Sequence, residues 1–191
     1  MPARAASRQA TRSRLRRCAA APTRWARRTT VATAAFFVVA PGTFAGLIPW
    51  LITRWEFHHP LPYWVVAQVV GVLLIVGGLI PPVHAFVQFA KAGGTPIPIA
   101  PTQRLVVTGF NRYVRNPMYL GLLTVIIGQA LLVGQFSLLL YAAAGWIVTA
   151  SFVHWYEEPT LVRQFGAEYE GYRRAVPAWW PRLHPWQASR R

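Results

Sequence analysis

NPMYLGLLTVIIGQALLVGQFSLLLYAAAGWIVTASFVHWY, residues 116–156, is an apolar run of 41 residues without Asp, Glu, Lys or Arg, in which only His154 can bear a charge near neutral pH. At the standard rise it makes about 62 Å of helix, twice the hydrocarbon thickness of a bilayer. The run must fold back on itself, and Gly134-Gln135-Phe136-Ser137 is its turn signal. Two antiparallel helices are predicted, over 117–133 and 136–156, the first of them marginally short for a span.

Two further uncharged stretches lie upstream. Residues 31–52 carry Pro41-Gly42 at their centre, which would kink a spanning helix without abolishing it. A run from Tyr63 to Ile80 supports a helix over about 62–89. The expected fold is therefore all-α and integral to a membrane, with about four transmembrane helices. Composition agrees, because 54% of the chain is hydrophobic and 13% is charged, about half the charged share of a soluble domain. Nine Trp and ten Phe exclude a disordered chain. The single cysteine, Cys18, closes no intramolecular disulfide and founds no thiolate metal site, and no metal is expected.

Topology follows from the basic residues, which stay in cytoplasmic loops. Nine Arg precede the first helix, Arg54 alone follows it, Lys91, Arg104, Arg112 and Arg115 lie between the second and third, and six Arg follow the fourth. Both termini are expected in the cytoplasm. The same rule accounts for the net charge of +15 without nucleic acid. Residues 1–28 read as a basic, disordered tail near anionic lipid, and 29–191 as the membrane domain. A cleaved leader is disfavoured, since the following apolar run is long and no A-x-A site closes it. Residues 160–186 read as an interfacial segment: Leu161, Phe165, Tyr169, Tyr172 and Val176 recur at helical spacing, and Trp179, Trp180 and Trp186 suit the headgroup layer.

Four of the five acidic residues fall at Glu157, Glu158, Glu168 and Glu170, just beyond the fourth helix. Adjacent carboxylates at a low-dielectric border call for a cation, either an Arg of the preceding loop or a cationic ligand. The other polar concentration is Gly109 to Tyr119, immediately before the third helix. Asn116 suits an N-cap and Pro117 the first helical position. Free amides there, with Arg115, would seat a carboxylate. His154 is the imidazole nearest the Glu pair in sequence and the one candidate base, with a structural role as its alternative.

Arg115-Asn116-Pro117-Met118-Tyr119-Leu120-Gly121, followed about forty residues on by Glu157-Glu158-Pro159, resembles the paired signature of integral-membrane methyltransferases that use S-adenosylmethionine. These include the isoprenylcysteine carboxyl methyltransferases and the phospholipid methyltransferases. The tail from Phe165 to Tyr172, with Val176-Pro177 and Pro181, is similar to that of the isoprenylcysteine branch. The Asn-Pro-Met-Tyr and Glu-Glu-Pro runs are closer to the phospholipid branch, and Asn116 stands where the isoprenylcysteine branch usually has His. The resemblance implies that Leu105 and Val106 line a cofactor pocket, that Asn116, Pro117, Met118 and Tyr119 hold S-adenosylmethionine at the helix start, and that Glu157 anchors it from the other side. Arg115 and Glu158 join this set on charge.

The expected partners are membrane lipids and a lipophilic acceptor: an isoprenylcysteine-like carboxylate, another isoprenoid, or a lipid amine or thiol. Richness in Arg, Ala, Gly and Pro suggests a bacterial inner membrane. The rival reading is a non-catalytic transporter or assembly subunit whose interfacial Arg and Glu pair with one another.

Overall fold

The computed structural model describes residues 39–60, 62–91 and 107–187, the last four of the middle segment by backbone alone. Among these residues the chain is helical, with no strand. Helix α1 is Val39–Thr53, α2 is Val65–Lys91, α3 is Pro117–Val133 and α4 is Ser137–Phe152. A π turn at Val153–Glu157 carries α4 into α5, Glu158–Phe165, and α6 is Ala167–Ala175. The basic tail, the first residues of the expected 31–52 helix, and Leu105 and Val106 lie outside the described residues.

The α3–α4 hairpin forms where the 41-residue run required it. Gly134 adopts φ +72, a left-handed conformation that costs a glycine little, and its amide bonds the Ala130 carbonyl at 2.9 Å. A helix ending in an apolar medium must still satisfy its last carbonyls. Three segments of sequence do this for α3. The Trp64 indole donates to Leu131 O (2.9 Å), Gln68 Nε2 to Leu132 O (3.3 Å) and the His58 amide to Val133 O (2.8 Å). Gln135 Nε2 bonds Glu56 O at 2.8 Å, tying the same turn to the end of α1.

Helices α2 and α3 make the longest contact in the fold. A Cβ built on Gly71 would stand 2.6 Å from Gly128 O, and one on Gly78 would stand 2.7 Å from Gly121 O. The two contacts are seven residues apart on each helix, so antiparallel backbones touch at two levels on one seam. Lipid tails provide no hydrophobic drive between helices, and close backbone approach at small residues supplies dispersion contact instead. Away from this seam much of α2 is uncovered among the described residues: Val66, Leu73, Val76, Ile80 and Val83 are all exposed. An apolar surface of that extent suits lipid and not water.

Helix α1 is not abolished by Pro41-Gly42, as expected. It continues through Pro41-Gly42 and widens into a π turn at Thr43–Leu47. Gln129 Nε2 donates to Ala45 O at 2.6 Å and Tyr141 OH to Phe44 O at 2.9 Å, so polar side chains of α3 and α4 satisfy carbonyls of that turn. Phe44, Ala45 and Tyr141 pack on the core of Ile126, Ala130, Val133, Leu138 and Ala142.

The expected interfacial helix is corrected. Gly166, at φ +53 and ψ −129, breaks it into α5 and α6. Its apolar stripe also turns inward: Tyr169, Tyr172 and Val176 form a second core with Leu161, Phe165, Val107 and Trp186. The periodicity was that of a buried face, which has the same pattern as a membrane-lying one. Of the three tryptophans expected at the headgroups, Trp186 lies tilted against Tyr172 (5.4 Å), Trp179 meets Trp146 edge-on (6.2 Å), and Trp180 is exposed.

Among the described residues two helices are long and apolar enough to cross a membrane by themselves, Val65–Val87 and Ser137–Phe165, with Val39–Thr53 and Pro117–Val133 as shorter apolar helices. Gly128→Leu should separate α2 from α3 and lower stability by about 3 kcal/mol or more, the upper end of overpacking costs. Thermal unfolding in detergent measures this, with Gly171→Leu as control, because a Cβ at Gly171 meets nothing within 4 Å.

Candidate active site

The segment before α3 is held by the C-terminal tail. Pro177, Pro181 and Pro185 keep residues 176–186 out of helix. The tail instead runs beside residues 111–116: the Arg115 amide bonds Pro177 O, the Arg182 amide bonds Tyr113 O, and the Trp186 amide bonds Arg112 O, each at 2.9 Å. Arg112 Nε returns a bond to Trp186 O at 2.8 Å, and Tyr172 OH donates to Asn111 O at 2.7 Å. Burial pushes the Tyr172 phenol pKa up, which keeps it a donor at neutral pH.

Asn116 occupies the N-cap of α3 as expected, but its side chain makes no capping bond. It reaches the tail, where Nδ2 donates to Ala178 O at 3.3 Å. Pro117 is the first helical residue. The first bond into α3 is made by the Leu120 amide to Asn116 O (3.1 Å), so the amides of Met118 and Tyr119 precede it.

The two carboxylates beyond α4 take different partners. Glu157 Oε1 accepts from Tyr119 OH at 2.7 Å. Glu158 Oε1 accepts from Arg115 Nη1 at 2.6 Å, and its Oε2 lies 3.3 Å from Arg173 Nε. The Arg115 and Glu158 side chains are only 12% and 8% exposed, so this pair is screened little by solvent. Arg115 Nη1 also approaches Tyr169 OH at 3.4 Å. Burial raises the Tyr169 pKa, partly offset by the guanidinium. Arg115 Nε is buried with no partner among the described residues.

The structure thus brings Arg115, Asn116, Pro117, Met118, Tyr119, Glu157 and Glu158 to one end of the bundle. It gives the Arg115 charge to Glu158 and, among the described residues, leaves Glu157 bonded only to a phenol. His154 is exposed and lines a surface groove of about 540 Å³ with Trp155, Arg163 and Arg173, which Glu158 also borders. The sequence reading missed two contributors. His84 of α2 lies edge-on to Phe110 (5.2 Å) under the 109–112 turn. The tail, with Pro181 and Arg182, borders a cleft of about 490 Å³ between α2 and α3. Its three prolines at intervals of four were the available signal.

Among the described residues the chain is all-helical, with apolar helices suited to lipid and a polar cluster at one bundle end, and the comparisons give its family. The model of the phospholipid methyltransferase family matches residues 66–168, more than half of the chain, and the chain belongs to that family. It is also 39% identical over 75 residues to the protein-S-isoprenylcysteine O-methyltransferase of Schizosaccharomyces pombe. That match covers 39% of this chain and 31% of the yeast protein, so the chain spans under a third of that relative's length. No solved structure matches.

Removing Arg115 would strand Glu158 with only the half-exposed Arg173. Arg115→Met should therefore cost about 3 kcal/mol, the lower end of what breaking a buried pair costs. Adding Glu158→Leu should recover most of it. A double-mutant cycle followed by thermal unfolding checks both values.

Proposed function

We propose that this chain is a four-span membrane methyltransferase that transfers the methyl group of S-adenosylmethionine to a lipophilic acceptor. The observation that carries this reading is the division of labour at the end of α4: Glu158 is neutralised by Arg115 at 2.6 Å, while Glu157 remains a carboxylate held by Tyr119 at 2.7 Å. A buried structural pair needs one Glu. The second is oriented by a neutral donor and keeps its charge for a cation.

The donor set fits the cofactor. Glu157 Oε2 has no bond among the described residues and suits an ammonium or ribose hydroxyls. The amides of Met118 and Tyr119 at the start of α3 suit a carboxylate, as does the unpartnered Arg115 Nε. Pro117 and Asn116 hold that helix start in place, Asn116 through Ala178. Leu105 and Val106 complete the pocket in this reading. When bound, S-adenosylmethionine supplies an electrophilic methyl group. The chain aligns the acceptor and excludes water, and such positioning can contribute roughly 7 to 11 kcal/mol in favourable cases. A carboxylate acceptor needs no base from the chain; for an amine or thiol, His154 remains the candidate.

The acceptor class is an isoprenylcysteine-like carboxylate, another isoprenoid, or a lipid amine or thiol. Both termini face the cytoplasm of a bacterial inner membrane, residues 1–28 form a basic tail, and residues 29–191 form the methyltransferase domain. The names of the yeast relative and of the family support transfer to lipid or lipid-modified substrates.

Glu157→Gln should weaken S-adenosylmethionine binding by roughly 10- to 100-fold, since a hydrogen bond to a charged group contributes about 1.5 to 3 kcal/mol. Isothermal titration of the detergent-purified protein checks this, and an unchanged dissociation constant would remove Glu157 from the site. For topology, Ala188→Cys in a Cys18→Ser background should resist impermeant thiol reagents applied outside intact cells.

A further inference from the structure

Gly77 and Gly78 are neighbours on α2 with different reasons to lack a side chain. Gly78 is buried, and a Cβ there would stand 2.7 Å from Gly121 O. Packing accounts for it. Gly77 is exposed, and a Cβ there meets nothing within 4 Å. Glycine in a helix interior is unfavourable relative to alanine. Neither packing nor backbone conformation requires it at 77.

What Gly77 does border is the cleft of about 490 Å³ between α2 and α3, which also meets Pro81, Leu120 and Thr124. The Gly78–Gly121 backbone contact borders the cleft, and so does the exposed Gly77 beside it. Its other end is polar: Tyr113 and Arg182 border it next to the α3 start. Arg182 is the sole charged lining residue. Its Nη1 donates to Ala175 O at 2.7 Å, and no carboxylate lies within ion-pair distance among the described residues. From Pro117 to Thr124 the apolar wall runs about 10 Å along α3. A cleft with an apolar wall along α3 and a cation at one end has the layout of a single-chain amphiphile with an anionic head.

We propose that this cleft holds the apolar chain of the acceptor, with its anionic head toward Arg182, and that the size of residue 77 sets the bulk of chain the protein admits. Assigning the bound chain to the methyl acceptor rests on the function proposed above; occupation of the cleft does not. A leucine at 77 grows into open space, so the fold accepts it while the cleft is filled. A leucine at 78 would part the helices.

The test is photo-crosslinking in phosphatidylcholine nanodiscs with a hexadecanoic acid carrying a diazirine along its chain, read by peptide mass spectrometry. Parent protein should give adducts on residues 120–124. Gly77→Leu should lose most of those adducts and Gly77→Ala only part, with unchanged melting temperature and unchanged adducts on the outer face of α2 at Leu73 and Val76. Arg182→Gln should lower labelling at residues 120–124 several-fold. Equal labelling of residues 120–124 in parent and Gly77→Leu would overturn the proposal. So would labelling there by a photoreactive phosphatidylcholine and not by the acid, which would make the cleft a seat for bilayer lipid only. Stabilisation by S-adenosylmethionine is measured in parallel on the parent. If it is absent while the crosslinks behave as expected, the cofactor assignment fails and the cleft assignment stands.

Discussion

The Arg115–Glu158 pair joins the start of α3 to the end of α4 at 2.6 Å, on side chains almost withdrawn from solvent. Two ions so placed each lose hydration, and their attraction repays that only if the remaining donors and acceptors are also satisfied. Here the second carboxylate oxygen meets Arg173 and the guanidinium also meets Tyr169. The pair is therefore weak grounds for extra stability but a strict condition on geometry, because removing either ion leaves the other buried. It fixes the distance across which Tyr119 reaches Glu157 and joins the inner core of α6, through Tyr169, to the same point.

The second constraint is the glycine seam. Gly71 against Gly128 and Gly78 against Gly121 bring α2 within backbone contact of α3, which leaves no width for side chains on that line. Immediately beside the seam, Gly77 and Thr124 border the cleft that lies between the two helices. Packing and cavity arise from one arrangement of small residues. The tail shapes one end of the cleft, since Pro181 and Arg182 sit there through backbone bonds to residues 112–115.

Much of this was readable beforehand, for identifiable physical reasons. The length of residues 116–156 forced a hairpin, and Gly134 was the residue able to make it; the observed Pro117–Val133 matches the expected 117–133. The meeting of the pre-α3 cluster with the Glu pair followed from charge. Which Glu takes which partner did not, because a π turn at Val153–Glu157 alters the register on which an i to i+4 argument relies. The tail was misread for another reason. Its stripe repeats at three and four residues whether it faces lipid or protein, and the deciding contacts are backbone bonds from residues 177–186, which carry no periodic signal. The glycine seam was visible as paired intervals of seven, but an interval alone does not say which helix it faces.

The two π turns bear on the choice between an enzyme and a conduit. A transporter would be expected to gather polar groups and broken helix near the bilayer midplane. This chain does have a widened turn within α1 and polar side chains within α3 and α4, which at first favours that reading. Yet Gln129 donates to Ala45 O and Tyr141 to Phe44 O, both carbonyls of the turn itself. In an apolar medium an unbonded carbonyl is costly, so these side chains are accounted for by the backbone they satisfy. The other π turn, at the end of α4, leads instead to Glu157, an acid bonded to a phenol and not to a cation. Of the two irregular turns, one is closed upon its own chain and the other presents a charge. The polar groups that the backbone does not account for therefore lie at the border of the bundle, beside the α3 start, where the proposed methyl transfer would take place.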